Sequence, residues 1–215
     1  MSTYILTSMF QTGFPGALVA ELIRVIPQAA RFAFVASEFE KLPEKTDKYF
    51  RRFLEMFTAC GIEFSDVAVV DGRMTPSQAQ RALENADVVW LSGGDTPVQY
   101  GYFEKYGLID VLRRHKGVVI GMSAGAINMA ERAVCTVACG HDRQYVYPAL
   151  GLVNFSVEPH LNSFGVTEEH LKLSEIQDIY GLCDEAAVLC EGENIKYIGK
   201  VFRIAKRQVQ QISFG

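Results

Sequence analysis

Long apolar runs are missing from this chain: no stretch approaches the roughly 20 residues that a bilayer-spanning helix needs. A charge excess of one sign is missing too, since 21 Lys and Arg stand against 25 Asp and Glu, for a net charge of −4. That balance gives no electrostatic case for nucleic acid or an anionic membrane surface as a partner. The opening "MSTYILTSMF" has neither a basic leader nor a long apolar core, so it reads as a first strand, and a cytoplasmic location is expected. Cysteine is sparse and odd in number. Cys60, Cys135, Cys139, Cys183 and Cys190 form no dense framework, which points to reduced thiols. Cys135, Cys139 and His141 have no C-x-x-C pair or second ligand pair beside them, so no metal or cofactor is expected. Repeats, low-complexity tracts and linkers are absent, and histidine occurs only four times.

What is present is enough apolar material for a core. At 215 residues and 49% apolar composition, a single compact domain over 1–215 is expected. Strand-like and helix-like segments alternate through the first part: "YILTS", a helix near 17–26, "FAFVAS", and "PEKTDKYFRRFLEMFTACG", whose Tyr49, Phe50, Phe53, Leu54 and Phe57 share a helical face with Gly61 as a C-terminal cap. "DVAVVD" follows, then Thr75-Pro76-Ser77-Gln78 with N-cap, N1 proline and N3 glutamine in helix-starting order, then "VVWLSGG", a helical region up to His115, and "GVVIG". After Ser123 the texture becomes extended, and "IGKVF" reads as a hairpin. Near-continuous apolar strands separated by helices imply a doubly wound α/β fold. Its mostly parallel sheet is covered by helices on both faces and carries an antiparallel C-terminal extension. Ligands bind such sheets beyond the C-terminal strand ends, where both "SGGDT" and "GMSAG" fall.

In "VVIGMSAGAINMA" a strand runs into Gly-x-Ser-x-Gly and then a helix, the setting of a nucleophile elbow that lifts the hydroxyl of Ser123 above the sheet edge. The same pattern also arises from tight strand–helix packing alone. The amide of Ala124 would face an oxyanion at the start of the helix, and the amides of Gly93 and Gly94 could cradle an anion. Among the histidines, His115 in "RRHKG" and His170 in "TEEHLKLSE" read as solvated, His141 as a loop residue, and His160 as the end of a strand at the edge where Ser123 lies.

Taken together, "ADVVWLSGGDT", "GVVIGMSAGAINM" and "VEPHLN" resemble the successive signatures of the peptidase E family, the aspartyl dipeptidases that also include cyanophycinase. The 37 residues from Ser123 to His160 agree with that pattern. The resemblance is clear from about 86 to 162 and weak at the N-terminus. It implies that Ser123 is the acylated nucleophile, His160 the general base, and Gly94 with Ala124 the oxyanion hole. Gly93, Asp95 and Thr96 then fall in the substrate-binding turn, with Asp95 placed to hold an amino group. The family pattern puts the third triad member between serine and histidine. The directly matching offset here is Val137 or Ala138, and the nearest carboxylate is Asp142, which is expected to orient His160; Glu131 and Glu158 are the other candidates.

The family also follows its histidine with an arginine-bearing segment that grips an acidic substrate side chain. Here "GVTEEHLKLSEIQ" offers only Lys172, so strict aspartyl dipeptidase activity is not expected. The expected activity is a serine peptidase acting on short peptides or related amides through an acyl-enzyme. A non-catalytic binding module on the same fold and an esterase are the alternatives. A small peptide is the expected partner, and a homodimer is compatible with the chain.

Overall fold

The structure, a computed structural model, describes residues 2–214. Strands and helices alternate at first: β1 (Thr3–Thr7), α1 (Gly16–Val25), β2 (Arg31–Val35), α2 (Pro43–Ala59), β3 (Asp66–Val70), α3 (Pro76–Asn85), β4 (Val88–Leu91), α4 (Thr96–Lys105), α5 (Ile109–Arg114), β5 (Val118–Met122) and α6 (Ala124–Met129). Shorter elements follow: β6 (Arg132–Cys135), β7 (Tyr145–Pro148), β8 (Ser156–Glu158), α7 (Leu161–Phe164), α8 (Glu168–Leu173), β9 (Ile179–Leu182), β10 (Ala187–Glu191), β11 (Asn194–Ile198), β12 (Val201–Ala205) and β13 (Gln208–Ser213).

The main sheet has the order β11-β10-β1-β5-β4-β2-β3. β1, β5, β4, β2 and β3 run parallel, whereas β10 lies antiparallel on β1 and β11 antiparallel on β10. The expected α/β architecture is thus present, and the C-terminal extension divides in two. β10 and β11 extend the main sheet, and β13-β12-β9-β8 form a second one, with β6 and β7 as a separate ribbon.

Helices on both faces explain why the strands read as unbroken apolar runs. Along β1, β4 and β2, alternate residues enter opposite cores. Ile5, Trp90, Phe32 and Phe34 pack with Leu18, Leu22, Phe53 and Phe57 of α1 and α2. Leu6, Val89, Leu91, Ala33 and Val35 pack with Leu83, Phe103, Leu112 and Ala126 of α3 to α6. A strand buried on both faces has no polar side to show. α3 starts as its sequence suggests, with Thr75 and Gln78 in a reciprocal capping box.

"IGKVF" is not a hairpin. β11 pairs with β10 in the main sheet, while β12 pairs with β9 and β13 in the second, so Gly199-Lys200 is a step between sheets. Gly199 turns at φ +69 against the backbone of Ala186, which diverts the chain away from β11. The actual hairpin turns are at Gly192 and at Lys206-Arg207, all with positive φ.

Helix α6 packs tightly against the strands it follows. A Cβ on Gly125 would lie 2.2 Å from the Leu91 carbonyl oxygen, and one on Gly121 would lie 2.7 Å from the Ala126 nitrogen. Gly125→Ala is therefore expected to lower stability by about 1–3 kcal/mol through overpacking. Gly101, inside α4 with open space at its Cβ position, is the control. Gly101→Ala is expected to raise stability by about 0.5–1 kcal/mol, with urea midpoints reporting both changes.

Candidate active site

Parallel strands end on one edge, so the residues after β1, β2, β4 and β5 converge. The turn after β5 holds Ser123 at φ 51 and ψ −112, an unfavourable conformation for a residue with a side chain. It is held there because the Ser123 amide donates to the Thr7 carbonyl (3.0 Å) and the Ile127 amide donates to the Ser123 carbonyl (3.0 Å). The turn after β4 brings Gly93 and Gly94 alongside. A Cβ on Gly93 would touch Ser123 at 3.3 Å, and one on Gly94 would lie 2.1 Å from the Ser37 hydroxyl, so side chains are excluded at Gly94. Among the described residues, the amides of Gly94 and Ala124 have no backbone acceptor, which leaves both donors free beside the serine.

A buried amide network fixes that turn from below. Gln99 donates to the Ser92 carbonyl (2.9 Å), Asn128 donates to the Thr96 carbonyl (3.0 Å) and to the Gln99 side chain (3.1 Å), and Tyr147 donates to Asn128 (2.9 Å). With nearly every donor and acceptor paired away from water, the network has little freedom to move.

His160 follows β8 in the left-handed region, at φ 59 and ψ 25. Its amide donates to the Ser8 hydroxyl oxygen (2.8 Å) at the end of β1. Its Nε2 faces the Ser123 hydroxyl at 3.0 Å, and its Nδ1 faces the Asp184 carboxylate at 2.9 Å. An ionised carboxylate only accepts, so Nδ1 carries the hydrogen and Nε2 presents its lone pair to the serine hydroxyl.

The carboxylate behind His160 is thus Asp184, not Asp142. Asp142 is exposed and accepts from the Tyr145 hydroxyl (2.7 Å), the contact that chiefly holds its carboxyl below the usual range. Glu131 is exposed. Glu158 is fully buried on the far side of its strand, where it accepts from Thr136 (2.8 Å) and faces His170 at 3.5 Å. His170 and His115, which read as solvated, are both buried, at 0% and 7% exposure. α8 is only six residues long and turns its His170 face inward, where the ring stacks on Phe164.

Asp184 lies between β9 and β10, after the histidine in the chain. It arrives because β10 begins where β1 ends: Ala187 is opposite Thr7, the Ser8 amide donates to the Ala186 carbonyl (3.2 Å), and the Glu185 amide donates to the Met9 carbonyl (2.8 Å). Ser8 donates to Asp184 Oδ1 (3.1 Å), and Asn162 both donates to Oδ2 (3.2 Å) and accepts from the Asp184 amide (2.7 Å). Partial burial opposes ionisation of Asp184, but the hydrogen bonds from His160, Asn162 and Ser8 outweigh it and hold the carboxyl below the usual carboxylate range. Asn162 stands in the recognised "EPHLN" stretch. Ser8 gave no signal of its own in the sequence.

Two cavities flank the Ser123–His160 pair. One, of about 310 Å³, is lined by Asp95, Thr96, Cys139, Gly140 and His141 as well as the pair. There Asp95 already caps α4 through the Val98 amide (2.9 Å). The other, of about 320 Å³, runs toward α2. Burial pushes the Cys139 thiol up, which keeps it protonated and unreactive. Lys172 lines neither cavity.

Comparison with known proteins bears on the family and the fold. The profile of Peptidase family S51 matches residues 19–198. A solved peptidase from an acI-B1 Actinobacterium is similar with a TM-score of 0.69 and 15% identity, over 100% of this chain and 95% of that one. A protein assigned to peptidase E from Listeria monocytogenes EGD-e gives a TM-score of 0.69 and 20% identity, over 92% and 98% of the two chains. Among curated proteins no sequence matches.

The depressed Asp184 carboxyl makes a prediction about acid stability. The unfolded carboxyl titrates near 3.9, above the folded one, so its contribution is complete above that pH and is lost as pH falls through the folded value. Asp184→Asn should therefore give a shallower loss of stability between about pH 5 and pH 3 than the wild type, as read from denaturant midpoints against pH.

Proposed function

Because the chain belongs to peptidase family S51 and is a serine peptidase, we propose that Ser123, His160 and Asp184 are its catalytic triad and that it cleaves short peptides. The observation that carries this is the continuous line of contacts from the Ser123 hydroxyl through both ring nitrogens of His160 to Asp184, 3.0 Å and 2.9 Å long.

The geometry supports the following mechanism. His160 Nε2 takes the hydroxyl proton as Ser123 Oγ attacks the scissile carbonyl, and the free amides of Gly94 and Ala124 stabilise the resulting oxyanion. Asp184 keeps the proton on Nδ1 and stabilises the imidazolium that forms. His160 then gives its proton to the departing amine, which leaves an acyl group on Ser123. A water molecule, deprotonated by the same nitrogen, releases the acid. The strained turn at Ser123 is the nucleophile elbow of this scheme. The strain is supported by the packing of α6 on β4 and β5.

Cavities of about 310–320 Å³ on the two sides of the nucleophile suit short peptides. The segment after His160, "GVTEEHLKLSEIQ", contains no arginine, and its one lysine, Lys172, lines neither cavity. This supports the absence of strict aspartyl specificity.

Active-site labelling tests the reading. A fluorophosphonate probe should label the wild type and not Ser123→Ala; absent labelling of the wild type would instead support a binding module. Asp184→Asn should lower kcat about 10³–10⁴-fold, by analogy with other triads, and Asp142→Asn should leave it unchanged. Asp-Leu should be hydrolysed no faster than Ala-Leu, and a strong preference for Asp-Leu would overturn the specificity reading.

A further inference from the structure

The α2 cavity has an apolar floor, a cationic rim and the nucleophile at one end. Phe10, Phe34, Phe53 and Met122 form the floor, and Ser123 and His160 close the inner end. Met9, Leu42 and Tyr49 stand at its mouth, 37%, 59% and 41% exposed, so three large apolar side chains meet solvent around one opening. Leu42 does so at φ 59 and ψ 50, a costly conformation for a bulky residue.

The rim carries Lys41, Lys45 and Arg52. Neither lysine is in an ion pair among the described residues. Arg52 is anchored by Nη2, which donates to the carbonyls of Phe10 (2.9 Å) and Gln11 (2.6 Å) and ties α2 to the loop after β1. The one acid in the lining, Glu38, accepts through Oε1 from the Tyr102 hydroxyl (2.6 Å) and from the amides of Glu40 (2.9 Å) and Lys41 (3.3 Å), so one negative charge stands against three rim cations. The cavity on the other side of Ser123 has the opposite character, with Asp95 and no lysine or arginine.

We infer that the α2 cavity receives the residue that leaves the scissile bond, an apolar residue with a free α-carboxylate. Lys41 and Lys45 hold the carboxylate, and Phe10, Phe53 and Tyr49 pack the side chain. The amino-terminal residue then lies on the Asp95 side. An acidic side chain alone would have no use for the aromatic floor, and an apolar side chain alone would have no use for the cations. A carboxy-terminal apolar residue presents both groups from one Cα. The assignment rests on Ser123 being the nucleophile, and it fixes the direction in which the substrate lies across it.

Amidation of the substrate tests the subsite. With Ala-Leu and Ala-Leu-amide as substrates, the wild type should show a kcat/KM about tenfold higher for the free acid, mainly through KM. The double variant Lys41→Ala/Lys45→Ala should bring Ala-Leu down to the amide's value and leave the amide unaffected. Equal cleavage of acid and amide by the wild type, or equal loss on both in the variant, overturns the proposal. Fluorophosphonate labelling of the double variant should match the wild type, since the nucleophile is untouched. Calorimetric binding of the same two peptides to Ser123→Ala reads the subsite without turnover. Tighter binding of the acid supports it and equal binding overturns it, even if the hydrolase reading itself fails.

Discussion

Antiparallel pairing of β10 along β1 places the pieces of this site within reach of one another. β1 runs parallel to β5, so its end lies beside Ser123. β10 runs the opposite way, so its beginning lies at the same place and carries the preceding turn, with Asp184, to the sheet edge. Between them sits Ser8, buried, which accepts the His160 amide hydrogen and gives its own hydrogen to Asp184. One small side chain thereby connects the backbone of His160 to the side chain of Asp184. An alanine there would leave a buried amide and a carboxylate oxygen each short of a partner.

Two non-glycine residues with positive φ, Ser123 and His160, face each other across the site. Such conformations persist only when the surroundings over-determine them. Ser123 is held by backbone hydrogen bonds to β1 and into α6, and His160 by the Ser8 hydroxyl. Both anchors involve β1 or the residue that follows it. β1, an interior strand of the main sheet, is thus also the mount for the Ser123 and His160 side chains, which ties fold stability to the geometry of the site.

The parallel layers were legible because burial on both faces writes runs of consecutive apolar residues through the centres of β1, β2, β4 and β5. Ser123, Gly93, Gly94 and Ala124 were legible because a tight strand–helix turn leaves glycine as a local mark, and His160 because few histidines compete with it. Asp184 was not legible. It sits in "LCDEAAVLC", where an acid before a strand looks like any polar turn, and its position depends on the direction and register of a strand paired with residues 180 or more positions earlier. The inward turn of His170 was hidden likewise, since charged neighbours on a short helix say nothing about which face packs. The division of the C-terminal strands between two sheets rests on a single step at Gly199, a turn that a hairpin would also use.

The order of Ser123, His160 and Asp184 along the chain has a consequence during synthesis. Ser123 and His160 leave the ribosome before Asp184, and β1 keeps an unpaired edge until β10 arrives to cover it. A nascent chain at that stage holds a serine and a histidine whose ring has no acceptor to set its orientation. On the proposed mechanism, efficient hydrolysis comes only with closure of the sheet, so an incomplete chain attacks the peptides and unfolded segments around it far more slowly.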